Sequence, residues 1–152
     1  SFPTRRSSDL AYDYVNIYQP KGDEFFGPDT PNLKEGKWYE KWLPNDHCFI
    51  QAENGQWHLF GITHPLVLTD PLSKGIHEGE FASFHAVSAA TRFEESVEEG
   101  HYADLPKVLP PDERPGEIPQ NHAPYIVKKS GAYHMVYGHS PIRLAVSDDL
   151  FE

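Results

Sequence analysis

The chain has 152 residues and a formal net charge of −10, with 23 acidic against 13 basic side chains. That balance argues against nucleic acid and anionic membrane surfaces as partners, because both present phosphates that call for Lys and Arg. One cysteine, Cys48, excludes an internal disulfide framework and a zinc–thiolate centre, and no apolar run reaches the length of a membrane-spanning helix.

Residues 1–10, Ser-Phe-Pro-Thr-Arg-Arg-Ser-Ser-Asp-Leu, read as one translated frame of a common sequencing adapter and are set apart from the fold. With no Met at the start and a pattern interrupted at Phe151-Glu152, both ends are expected to be breaks in a longer gene. Residues 11–152 suffice for one ordinary domain, but for only about half of a five-bladed propeller. Residues 11–44 form a loop-rich, Pro- and Gly-punctuated segment. Tyr12, Tyr14, Ile17 and Tyr18 are expected in a short strand, and Pro20 to Lys37 in a long loop. No segment sustains an apolar period of 3.6, so few helices are expected.

From residue 45 onward the chain repeats itself. Residues 46–61 (Asp46 to Gly61) and 122–137 (His122 to Tyr137) align at a constant offset of 76. Ile50 matches Ile126, Trp57 matches Tyr133, and His58 matches His134. Each copy reads as a β-hairpin: an apolar strand, a polar turn ending in Gly55 or Gly131, and an aromatic strand. A third strand follows in each, 84–88 and 143–147, both ending in Ala-Val-Ser. Residues 66–82 and 94–120 then read as loops, the latter a Pro-, Glu- and Asp-rich surface excursion. A repeated hairpin-plus-strand cannot bury its apolar faces alone, so the copies must stack. The expected fold is therefore all-β, a partial five-bladed β-propeller with about two blades in residues 45–152. Trp57, Tyr133, His58 and His134 are expected in the packing between blades.

Residues 42–152 resemble the five-bladed propeller glycoside hydrolases, families 32 and 43. Trp42-Leu43-Pro44-Asn45-Asp46, followed by Gly55 and Trp57-His58-Leu59-Phe60, is similar to the opening blade of family 32. His85-Ala86-Val87-Ser88, Leu105-Pro106 and Pro111-Asp112-Glu113 continue that likeness. Ala123-Pro124-Tyr125 looks like the Trp-Ala-Pro-Asp strand of family 43, with Tyr125 in place of an Asp that tunes the acid.

The resemblance implies a glycosidase acting on arabino- or fructo-type furanosides, in which Asp46 is the nucleophile or general base. Asn45, His64, His85 and His122 are the candidate substrate-binding residues. No Glu in residues 11–152 matches the general acid, which these families place in a later blade, so this chain alone is expected to be inactive. Glu78 and Glu80 lie in the loop from Gly75 to Glu80, from which one could reach over the site as an acid, although a loop charge run is usually solvated. The partner is an oligo- or polysaccharide, and a secreted or periplasmic location suits it. No cofactor is required. The nine histidines show no metal-ligand spacing, which leaves at most a single structural cation in the channel. The alternatives on the same scaffold are a non-catalytic carbohydrate-binding propeller and a glycoside phosphorylase.

Overall fold

The computed structural model describes residues 15–67, 79–109, 115–116, 120–138 and 141–151. Strand accounts for 47% of the described residues and helix for 3%, so the fold is all-β, arranged in three antiparallel sheets of which none closes on itself. The described strands are β1 (Asp23–Glu24), β2 (Trp38–Tyr39), β3 (Trp42–Gln51), β4 (Trp57–Pro65), β5 (Ala82–Ser88), β6 (Tyr102–Val108), β7 (Tyr125–Lys129), β8 (Ala132–Gly138) and β9 (Ile142–Ser147). One short helix, α1 (Phe93–Ser96), lies between β5 and β6. β1 pairs with β2, β3 to β6 form a four-stranded meander, and β7 to β9 form a three-stranded one.

Both repeated hairpins form, and the turn chemistry explains them. Ser130 (φ 54°) and Gly131 (φ 85°) make a two-residue turn with both central residues in the left-handed region, the backbone twist that suits a tight hairpin. The β3–β4 turn is longer. Asn54 Oδ1 accepts the Gln56 amide at 3.0 Å, and Gly55 sits at φ 88°. This difference slips the ladders by one residue, since Gln51 pairs with Trp57 but Lys129 with Ala132. A one-residue slip turns a strand's side chains to the opposite face. Ile50 therefore shares a face with His58, whereas its sequence counterpart Ile126 shares a face with Met135.

The two large sheets pack face to face. Phe60, with Cys48 and Ile50, meets Ile126, Tyr133, Met135, Ala145 and Leu150. The far side of the four-stranded sheet carries Leu59, Phe84, Ala86 and Tyr102, and is covered by Ile17 and Tyr18. Tyr18 donates its hydroxyl to Asp104 Oδ1 and sets its ring 5.1 Å from Phe84. A third cluster, Phe25, Leu33, Trp42 and Phe81, joins the β1–β2 ribbon to the start of β3. Beside it Lys107 Nζ lies 2.7 Å from Asp23 Oδ2 and 4.2 Å from the centre of a Trp42 ring.

Several expectations change. Tyr12 and Tyr14 lie outside the described residues, and Ile17 and Tyr18 are not in a strand but serve as a lid on the sheet. The stretch from Pro20 to Lys37 contains β1. The surface excursion at 94–120 contains the end of α1 and a whole strand, β6, paired with β5. β6 hides from pattern reading because Pro106 sits in it and because Asp104 and Lys107 are tied to Tyr18 and Asp23. Both features suit an edge strand, where a missing amide costs no ladder bond. Trp57, expected between the sheets, instead stands on the far face with its ring 4.9 Å from Phe93.

The outward face of the three-stranded sheet reverses the usual alternation. In β9, Ile142, Leu144 and Val146 point outward, and Leu144 is 60% exposed, while Arg143 and Ala145 face the neighbouring sheet. Tyr125, Val127 and Val136 continue the exposed stripe across β7 and β8.

Candidate functional site

β3 and β7, the first strands of the two hairpins, come together. Between them lies an open cleft of about 540 Å³ lined by Asn45, Asp46, His47, Ala123, Pro124 and Tyr125. Asp46 does not open β3 but interrupts it. The ladder passes from Asn45–Ile62 to His47–Gly61 and leaves Asp46 unpaired in a bulge at φ 27°. A bulge re-aims the extra side chain, and Asp is among the residues that best tolerate positive φ. Gly61, opposite the bulge, has no Cβ to collide: one would fall 2.8 Å from the Asn45 carbonyl oxygen and 2.5 Å from the Phe84 ring. The other lip of the cleft carries a second strained residue, Ala123 at φ 43°. Non-glycine residues held in this region store of order 1–3 kcal/mol each and concentrate at functional sites. The Asp46 side is exposed to solvent, as is the Tyr125 ring opposite.

The other predicted residues divide. Asn45 lines the cleft. His122 immediately precedes the Ala123 lip, and its carbonyl accepts the Gly138 amide at 3.0 Å. His64 and His85 do not line the cleft. His64 is buried in β4, its Nδ1 3.2 Å from the Pro65 carbonyl oxygen. His85, on β5, is 2% exposed and stacks on Phe60 with ring centres 4.1 Å apart. Its Nε2 lies 2.8 Å from His58 Nδ1, so one neutral ring donates to the other. Burial, and then the neighbouring His58, lower the His85 pKa to about 3; burial lowers that of His58 as well. His58 is thus a packing residue, as expected, while His134 is half-buried on the outward face.

Glu78 lies outside the described residues. Glu80 does not reach over the cleft as a loop acid. It is fully buried, with its carboxylate 3.3 Å from His122 Nε2. His47, next to Asp46, was not among the residues expected at the site, and Tyr125 was noted only as standing in place of an acid-tuning Asp; both line the cleft. Among the described residues no group of three His, Cys, Asp or Glu side chains could hold a metal ion, and no helix is long and apolar enough to cross a membrane. No protein-family model, curated protein or solved structure matches the chain.

Proposed function

We propose that the chain is two blades of a larger five-bladed propeller and that the cleft is one side of a furanoside-cleaving glycosidase site. The observation that carries this reading is the position of Asp46. An unpaired bulge residue of one repeat is aimed into a cleft whose other lip, Ala123 to Tyr125, belongs to the second repeat. Glycosidases set a carboxylate beside the anomeric carbon, as nucleophile or as base for water, opposite an acid that protonates the leaving oxygen. Asp46, an exposed carboxylate at the cleft, fits the first role. The acid would come from a blade beyond residue 152.

Stacking supports the propeller reading. The His58–Phe60 side of the four-stranded sheet packs on the Tyr133–Met135 side of the three-stranded one. The repeat-equivalent of the first side, His134 and Val136 with Leu144 and Val146, is the exposed apolar face. A head-to-tail series of sheets continues there, and a ring is how such a series closes.

The test is turnover of aryl arabinofuranosides and fructans by the complete gene product, with Asp46→Asn as control. A loss of about 10²–10⁴-fold is expected for removing a catalytic base; an Asn variant with wild-type turnover sinks the assignment. A non-catalytic carbohydrate binder is favoured by one observation: the Tyr125 ring, standing where family 43 has an Asp, is 65% exposed in the cleft as a stacking platform. A phosphorylase finds less support, since the residues lining the cleft include no Lys or Arg.

A further inference from the structure

Among the described residues, five non-glycine positions have positive φ. Asp46 and Ala123 stand at the cleft, and Ser130 in a hairpin turn. The other two are leucines, Leu109 (φ 55°) and Leu150 (φ 70°). Bulky apolar residues rarely enter this region, because Cβ crowds the backbone. Hydrogen bonds hold both of them there. Leu109 directly follows β6, and its carbonyl accepts from Asn121 Nδ2, which also donates to the Phe81 carbonyl at 2.9 Å. Beyond β9, the Leu150 amide donates to Ser147 Oγ at 2.9 Å, and the Phe151 amide to Asp149 Oδ1 at 2.8 Å. The two leucines share one destination. Both line the apolar gap of about 130 Å³ between the large sheets.

The chemistry of the gap narrows what fits it. No charged side chain lines it, so an ionised guest would lose its hydration without gaining a counter-charge. Its polar side chains are Ser147 and Tyr133, and the Ser147 hydroxyl already receives the Asp149 and Leu150 amides. Phe60, Phe151 and the Tyr133 ring, with the Met135 thioether, make up much of the wall. Ring edges and a polarisable sulfur favour an aromatic guest over an aliphatic one. An apolar cavity of about 150 Å³ lined by Leu, Ile and Phe stays dry and binds benzene, and this gap is of that order. The geometry points to a binding site for one small, neutral aromatic ring between the two sheets, with Leu109 and Leu150 as its clamps. Residues held in sparsely populated backbone conformations gather at such clamps. The gap shares no lining residue with the Asp46 cleft, so the site does not depend on the carbohydrate reading.

The test follows the methyl resonances of the full chain by NMR as benzene is added. Saturable shifts are expected at Leu109, Leu150, Ile126 and Met135, together with a rise in Tm, because a guest that binds only the folded chain stabilises it. Benzoate and cyclohexane are expected to bind more weakly by about tenfold or more, the first for its charge and the second for its missing π face. Ala145→Leu adds bulk at a lining residue and is expected to weaken benzene by about tenfold or more, since the gap has room for little else. Ala145→Val, a smaller addition, should fall between that variant and wild type, and reports if the Leu variant does not fold. A wild-type chain with no saturable shift overturns the site and leaves only a packing void. Undiminished benzene binding in whichever Ala145 variant folds overturns its location. Benzoate or cyclohexane binding as tightly as benzene overturns the ligand class.

Discussion

The His58–His85 pair makes the stability of this fold sensitive to mild acid. Both rings are buried and neutral, and Phe60 and Phe151 enclose them, with the Phe151 ring centre 5.0 Å from His58 and 5.9 Å from His85. His58 Nε2 has no hydrogen-bond partner among the described residues. In the unfolded chain each ring takes up a proton near pH 6.5. In the folded chain His85 resists until about pH 3. A folded pKa below the unfolded one means that the stabilisation is whole above pH 6.5 and is lost progressively as pH falls toward the folded value. Each pH unit inside that window costs about 1.4 kcal/mol per proton. From pH 6.5 to 5, His85 alone removes about 2 kcal/mol, and His58, shifted in the same direction, adds to it. This is a large part of the roughly 5–15 kcal/mol that holds a domain. The same range spares the carboxylates of Asp29 and Glu53, which their Lys34 and Lys128 partners hold below their ordinary values. Urea unfolding at half-unit steps from pH 7.5 to 5 measures the slope. His85→Gln keeps a polar partner for His58 but cannot titrate, so its slope should fall by about one proton. A wild-type stability flat across this range, or an unchanged slope in the Gln variant, would refute the reasoning.

Other perturbations probe the packing. Tyr133→Ala should cost about 3–5 kcal/mol in urea unfolding, because it empties a buried aromatic site beside an existing apolar gap of about 130 Å³ between the sheets. Gly131→Ala should cost roughly 1–2 kcal/mol at φ 85°, although nothing crowds the added methyl; a neutral result in thermal melts would mean the turn relaxes. The exposed stripe of Ile142, Leu144 and Val146 should make the chain self-associate. Leu144→Lys with Val146→Lys is then expected to shift size-exclusion light scattering toward monomer with little change in stability. A monomeric wild type would count against the uncovered face as a docking surface.

The repeat made the hairpins legible. Residue types with fixed local physics, Asn54-Gly55 and Ser130-Gly131 in turns and alternating aromatic strands around them, carry their own instructions. The third strands followed from the shared Ala-Val-Ser. β6 was not legible, because Asp104 takes its hydrogen bond from Tyr18 and Lys107 its counter-charge from Asp23, both more than 80 positions away in the chain. Of the residues selected from sequence, Asn45 and Asp46 line the candidate cleft, whereas His64 and His85 are buried in the sheet. A histidine's side of a strand depends on register, and register was slipped by a single residue between the hairpins.

What residue order determined by itself is the all-β class, the positions of the two hairpin turns and the net acidic charge, since each rests on interactions between near neighbours or on composition alone. Tertiary structure decided which side chains meet: Glu80 with His122, His58 with His85, and Asp46 with the Ala123–Tyr125 lip. Those meetings depend on sheet stacking and on one bulge. A bulge at Asp46 is possible only because the residue across the ladder, Gly61, leaves room for the displaced backbone.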